Sequence, residues 1–171
     1  MQLEVVQTSI IDLNTEVIVN PANPQLLRGG GLSGIIHSAA GDELFEWLKA
    51  YKLIQNKPAL NNGEAIVSPS FKLKCKHIIH AVGPMWRGGH HSEQEVLRST
   101  YITCIELAEW YKLKSIAFPN ISTGIYGFPK KLAAPIIVDT LKSYPYSSIK
   151  NIVLACHDEE NYSLYSELLT K

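Results

Sequence analysis

The sequence has no excess of either charge: sixteen lysines and arginines balance sixteen aspartates and glutamates across 171 residues. A general nucleic-acid or membrane-surface binder carries a basic surplus, so neither is expected here. Cysteine is scarce, and Cys75, Cys104 and Cys156 form an odd set without paired spacing. That argues against a disulfide framework and for free thiols in a reducing, cytoplasmic compartment. Cys104 and Cys156 sit in apolar surroundings and read as core residues. No apolar run approaches the roughly 20 residues of a membrane-spanning helix. The opening MQLEVVQ alternates polar and apolar residues, unlike a signal peptide. Internal repeats, linkers and low-complexity tracts are also missing, so residues 1–171 read as a single domain.

What is present is an alternation of short apolar strands and amphipathic helices. Strands are expected near Leu3–Gln7, at Val17–Val19, Ala65–Val67, His77–Val82, Ser115–Phe118 and Ile152–Cys156. A turn or short helix is expected at Ile10–Leu13. A helix starts near Ser33, which reads as its N-cap, and runs with a break at Gly41 to about Ile54. Ser92 with Glu95 three residues on has capping-box spacing and opens a long helix. The loop before it, Met85–His91, reads as exposed. A further helix reaches about Tyr144 with Pro135 awkwardly inside it, and a last one carries Tyr162, Tyr165, Leu168 and Leu169. Apolar strands alternating with helices predict an α/β fold with helices on both faces of a mostly parallel sheet.

One stretch organises the rest. After Val17-Ile18-Val19 comes a polar hook, Asn20-Pro21-Ala22-Asn23-Pro24, then Gly29-Gly30-Gly31 and a helix start. Glycine lets backbone N–H groups approach an anion closely, and a helix N-terminus adds its positive dipole end. A second glycine-punctuated loop, Ser122–Gly127, also follows a strand directly. In parallel sheets ligands sit at the carboxyl ends of strands. Two backbone loops converging on one cleft suit a diphosphate.

Four ordered blocks then resemble one family, the macrodomains. Val19-Asn20-Pro21-Ala22-Asn23 with Leu26-Leu27-Arg28-Gly29-Gly30-Gly31 is similar to their VNAAN…L…GGG motif, and His37-Ser38-Ala39-Ala40-Gly41 fits the same block. Ile78–Pro84 with Trp86–Gly89 is similar to the next block of the MacroD-type branch. Phe118–Pro129 matches its second loop almost position for position. The resemblance implies a three-layer α/β/α sandwich with a mostly parallel mixed sheet. It also implies binding of ADP-ribose. It further implies hydrolysis of mono-ADP-ribose from acidic residues of proteins, or deacetylation of O-acetyl-ADP-ribose, with no metal and no cofactor. Asn23 would hold the distal ribose near its reacting carbon. Gly29, Gly30 and Gly31 would wrap the diphosphate and ribose. Ser122, Thr123, Gly124, Ile125 and Tyr126 would supply N–H groups from the other side, with Tyr126 against the distal ribose. Ile10, Asn20, Ala22 and Leu32 are further ligand-contacting positions by the same resemblance, Asn20 chiefly bracing the hook.

Two positions depart from the family. The branch usually has Gly-Asp-Ile near the N-terminus, its aspartate accepting from the adenine amino group; here Thr8-Ser9-Ile10 stand there. It usually has an aspartate two places after the triple glycine; here that residue is Ser33. A serine is no base near neutral pH without an activating partner. The implied route is therefore substrate-assisted: the diphosphate orients the water while Asn23 and Gly31 shape the site. His157 stands where an aromatic commonly stacks on adenine. Two rival readings remain: a reader that holds ADP-ribose without cutting it, and an ADP-ribose 1″-phosphate phosphatase. His90-His91 lacks a third ligand of convincing spacing, so no metal is expected. His77 and His80 should lie on opposite strand faces, His80 in the interior. The expected partner is ADP-ribose or an ADP-ribosylated protein, and the expected state is monomeric.

Overall fold

The computed structural model describes residues 1–171. β1 (Gln2–Gln7), a single 3-10 turn at Ile10–Asp12 and β2 (Val17–Pro21) come first. Next are α1 (Gly31–Ala40), α2 (Asp42–Ile54), β3 (Ala65–Pro69), β4 (His77–Ala81) and α3 (Glu93–Trp110). β5 (Ser115–Phe118), α4 (Lys130–Ser143), β6 (Asn151–Cys156) and α5 (Glu159–Thr170) complete the chain. The strands form one sheet in the order β1-β6-β5-β2-β4-β3. All neighbours are parallel except β3 and β4. Only residues 70–76 join those two strands, too short a link for a parallel crossover. β3 lies at the sheet edge, where Pro69 removes no needed ladder bond.

Alternate residues of each strand face opposite layers. Ile18, Ile78 and Ala117 pack with Ile36, Ala40, Leu44 and Leu48 of α1 and α2. Val17, Val19, Ile79 and Phe118 pack with Leu97, Tyr101, Ile137 and Tyr165 of α3, α4 and α5. The result is the expected three-layer α/β/α arrangement, and cover on both faces explains why the strands read as unbroken apolar runs. All three cysteines are free and buried. No helix is long and apolar enough to cross a membrane.

Two helix starts differ from the sequence reading. α1 begins at Gly31 with Gly30 as its N-cap, so Ser33 is the third helical residue and caps nothing. The Gly34 N–H already reaches the Gly30 carbonyl at 3.2 Å, closing the first turn ahead of the serine. Ser92 sits at φ 57° with no side-chain cap bond, so the capping box with Glu95 does not form. Glu93 takes its place: its carboxylate accepts from the N–H groups of Arg87 (3.0 Å), Gly89 (2.7 Å) and His91. The 85–91 loop is thereby pinned, and Trp86 packs on Phe128 with ring centres 4.8 Å apart.

β2 is the pivot of the topology. It pairs with β5 on one side and β4 on the other. The chain leaves β2 toward α1 on one face and leaves β5 toward α4 on the other. A crevice must open where neighbouring strands send their connections to opposite layers. The β2–β5 pairing also ends at Ile18↔Ala117, before either strand ends, which widens that crevice.

Candidate functional site

The crevice is a cleft of about 500 Å³ at the carboxyl ends of β2 and β5. Ala22, Asn23, Gly29, Gly30, Gly31, Leu32 and Ser33 line one side. Ser122, Thr123, Gly124, Ile125 and Tyr126 line the other, and His157 stands after β6. Thirteen of the sixteen residues picked from sequence thus meet in one place. Ser9, Ile10 and Asn20 are outside the lining. Ile10 is buried in the core beneath α1 and α2. Ser9 precedes the 3-10 turn and makes no side-chain cap bond.

The first loop owes its shape to Asn23. Its side-chain amide donates to the Leu27 carbonyl at 2.9 Å, and its Oδ1 accepts from the Leu27 N–H at 2.9 Å. One amide hydrogen and one lone pair remain for a ligand. Gly29, at φ 63°, lies so close that a Cβ there would stand 3.2 Å from Asn23 Nδ2. The N–H groups of Gly29 to Leu32 donate to no backbone carbonyl, and for Gly31 and Leu32 the start of a helix requires it.

The second loop is a matching cradle. Phe128 N–H donates to the Ser122 carbonyl at 2.9 Å and Gly127 N–H to Gly124 at 2.9 Å, closing a tight turn. Ser122 itself adopts φ 67°. The N–H groups of Gly124, Ile125 and Tyr126 make no backbone bond. Gly83, after β4, supports this loop from below. A Cβ at Gly83 would lie 2.4 Å from both Ile121 Cγ2 and Ser122 Oγ, so only glycine fits. Residues with unbonded N–H donors therefore line the same cleft from two sides, an arrangement suited to an anion.

Charge in the cleft is confined to the β6 end. Lys130 Nζ bonds Asp158 Oδ1 at 3.0 Å and Glu160 Oε2 at 3.1 Å, and both bonds raise its pKa. Burial alone would raise the Asp158 carboxyl, but the Asn161 N–H, the Asn161 amide and Lys130 hold it below its usual range. Asp158 is also the N-cap of α5. The sequence reading missed Gly83, Lys130, Asp158 and Asn161 as lining residues. The signal available was the Asp158-Glu159-Glu160 run directly after His157. No carboxylate lies at the glycine-run end. Ser33 Oγ, buried there, has no hydrogen-bond partner.

Behind β2, Asn20 Nδ2 is 3.0 Å from His80 Nδ1, and His80 Nε2 is 2.8 Å from Ser68 Oγ. Complete burial, reinforced by nearby His37, pushes the His80 pKa down to about 3. His80 is therefore neutral, with its two ring nitrogens tying β2 to β3. His77 lies on the opposite face against Tyr111.

The Macro domain family model matches residues 19–137. The O-acetyl-ADP-ribose deacetylase of Salmonella newport is 45% identical over 173 residues, covering 99% of this chain and 95% of its own. Among solved structures, a glycine-to-valine variant of the Oceanobacillus iheyensis macrodomain with ADPR superposes at TM-score 0.92 and 37% identity. That match covers 98% of this chain and 91% of the other. The Trypanosoma brucei macrodomain in complex with ADP-ribose superposes at 0.84 and 28% identity, covering 98% of this chain and 68% of the other.

Proposed function

The chain belongs to the macrodomain family, and on that premise we propose that it is a hydrolase that binds ADP-ribose between β2 and β5 and cleaves its acyl esters. The observation carrying this reading is the pair of opposed loops with unbonded N–H groups, Gly29–Leu32 and Gly124–Tyr126. A diphosphate placed between them receives hydrogen bonds from both sides without a lysine or arginine. The substrates are O-acetyl-ADP-ribose and, as the finer claim, protein aspartate or glutamate esters of ADP-ribose. In each case water adds to the acyl carbon or to the ribose carbon. The ester C–O bond breaks, and ADP-ribose and a carboxylate leave.

Asn23 places the distal ribose and the water with the amide hydrogen and lone pair that its loop bonds leave over. Tyr126 closes the far side of that ribose. No protein carboxylate serves as base: Asp158 follows β6, two strands from β2, roughly 10 Å away, and is held by Lys130. The substrate's own diphosphate therefore orients and activates the water, and Ser33 supplies a hydroxyl beside it. At the other end His157 stacks on the base.

Ser33 also motivates the reader alternative, a module that binds without turnover. Calorimetry with ADP-ribose, run beside release of acetate from O-acetyl-ADP-ribose, decides. Binding with acetate release supports the esterase. Binding without release supports the reader, and no binding overturns both. Release of inorganic phosphate from ADP-ribose 1″-phosphate would instead mark the phosphatase.

A further inference from the structure

A second, more open concavity of about 530 Å³ lies on the outer side of the glycine run. Arg28, Gly34, Ile35 and Ser38 wall it, and it shares Gly29 to Gly31 with the cleft. Gly34 gives it depth, since a Cβ there would sit 3.0 Å from the Gly29 carbonyl oxygen. Arg28 supplies its charge. The guanidinium donates to Ser38 Oγ and pairs with no carboxylate. Ile35 and Leu27 nearby are each about half exposed, 45% and 47%.

We propose that this groove receives the polypeptide on either side of an ADP-ribosylated acidic residue, and that Arg28 selects acidic flanking residues. The inference rests on the reading above, which sets the distal ribose and its ester against Asn23 and the glycine run. Gly29 to Gly31 wall both the cleft and the groove, so an acyl group on a ribose set against them has the groove beside it. An acetyl group is too short to fill it. A peptide is long enough to enter it. The groove therefore separates a macromolecular ester from the small one, through an unpaired cation that an acidic chain can satisfy.

The test uses three substrates: a peptide ADP-ribosylated on a central glutamate with acidic neighbours, the same peptide with serine and glycine neighbours, and O-acetyl-ADP-ribose. The wild type should show a KM about three- to fivefold lower for the acidic peptide than for the neutral one, the scale of an exposed ion pair. That preference should shrink as salt rises. Arg28→Gln should abolish it, act on KM rather than kcat, and leave deacetylation within about twofold of wild type. Equal KM values for the two peptides in the wild type overturn the proposal. So does an equal loss on all three substrates in Arg28→Gln, which would make Arg28 a prop of the glycine loop. Deacetylation without any peptide turnover overturns the groove assignment and leaves the esterase standing. Failure to bind ADP-ribose at all overturns the reading beneath both.

Discussion

Asn23 and Leu27 exchange two hydrogen bonds, side-chain amide to carbonyl and backbone N–H to side-chain oxygen, each 2.9 Å long. The residue proposed to position the ribose is thus also the clasp of the loop proposed to hold the phosphates. Asn23→Ala breaks both bonds. We expect turnover of O-acetyl-ADP-ribose to fall roughly 100-fold, the scale of a lost positioning group. Stability should drop by only about 1–2 kcal/mol, since the loop lies at the surface and water replaces the lost partners. Turnover and a urea melt on the same sample check this. Retained turnover would remove Asn23 from the role given to it.

Gly83 makes a different prediction because its part is to seat the second loop. Its missing side chain is the space into which Ile121 and Ser122 fit, each 2.4 Å from where a Cβ would lie. Gly83→Ala must push the second loop upward and misalign the Gly124–Tyr126 N–H groups. ADP-ribose should bind about tenfold more weakly or worse, the equivalent of 1.4 kcal/mol. Calorimetry gives the affinity, and circular dichroism should show the helices and sheet intact.

Much of this was legible in the sequence because the informative signals are local. Val17-Ile18-Val19 and Ile78-Ile79 are strands buried on both faces, and their apolar runs say so without any partner. A glycine run after β2 and a glycine-punctuated loop after β5 marked both sides of the cleft. What could not be read depends on contacts distant in sequence. Asn161 reaches Thr123 Oγ1 across 38 positions, and Lys130 reaches Asp158 across 28. No spacing rule encodes either. Ser33 reads as a cap because serine is the better N-cap by propensity, whereas Gly30 and Gly31 let the chain turn earlier. Ser9 drew attention through its alignment with an aspartate, yet it lies outside the cleft lining.

His80 links stability to pH. Its folded pKa is about 3, against an ordinary value of 6.5. Above about pH 6.5 both folded and unfolded states hold the ring neutral, and stability is unaffected. As pH falls below that value the unfolded state takes up a proton that the folded state refuses, so stability declines down to about pH 3. His37 faces His80 at 6.1 Å and contributes in the same direction, its own pKa lowered by burial and by Arg28. His80→Gln should be less stable at pH 8, because the ties to Asn20 and Ser68 are disturbed. It should also lose less stability than wild type between pH 7 and pH 5. Urea denaturation at several pH values measures both slopes, and parallel slopes would exclude His80 as the source.

Glu93 is the acidic counterpart and reaches the cleft by another route. Burial alone would raise its carboxyl, but three backbone N–H groups, from Arg87, Gly89 and His91, push it down to about 2. The side chain is only 2% exposed, so these donors are shielded from competing water. A depressed carboxyl stabilises the fold above its unfolded pKa, near 4.5, and that contribution is lost as pH falls from there toward 2. Glu93→Gln keeps the shape but replaces a carboxylate by an amide with one acceptor oxygen, leaving N–H groups in the 87–91 turn unmet. We expect a lower melting temperature at pH 7, with the gap from wild type narrowing as pH drops below 4.5. The loop it anchors holds Trp86, whose backbone N–H donates to the Tyr126 carbonyl at 2.9 Å and whose ring packs on Phe128. Loosening it frees the end of the second cradle, so Glu93→Gln should also weaken ADP-ribose binding although the residue lies outside the cleft lining. Unchanged affinity with a lowered melting temperature would restrict Glu93 to stability alone and detach the 85–91 loop from ligand binding.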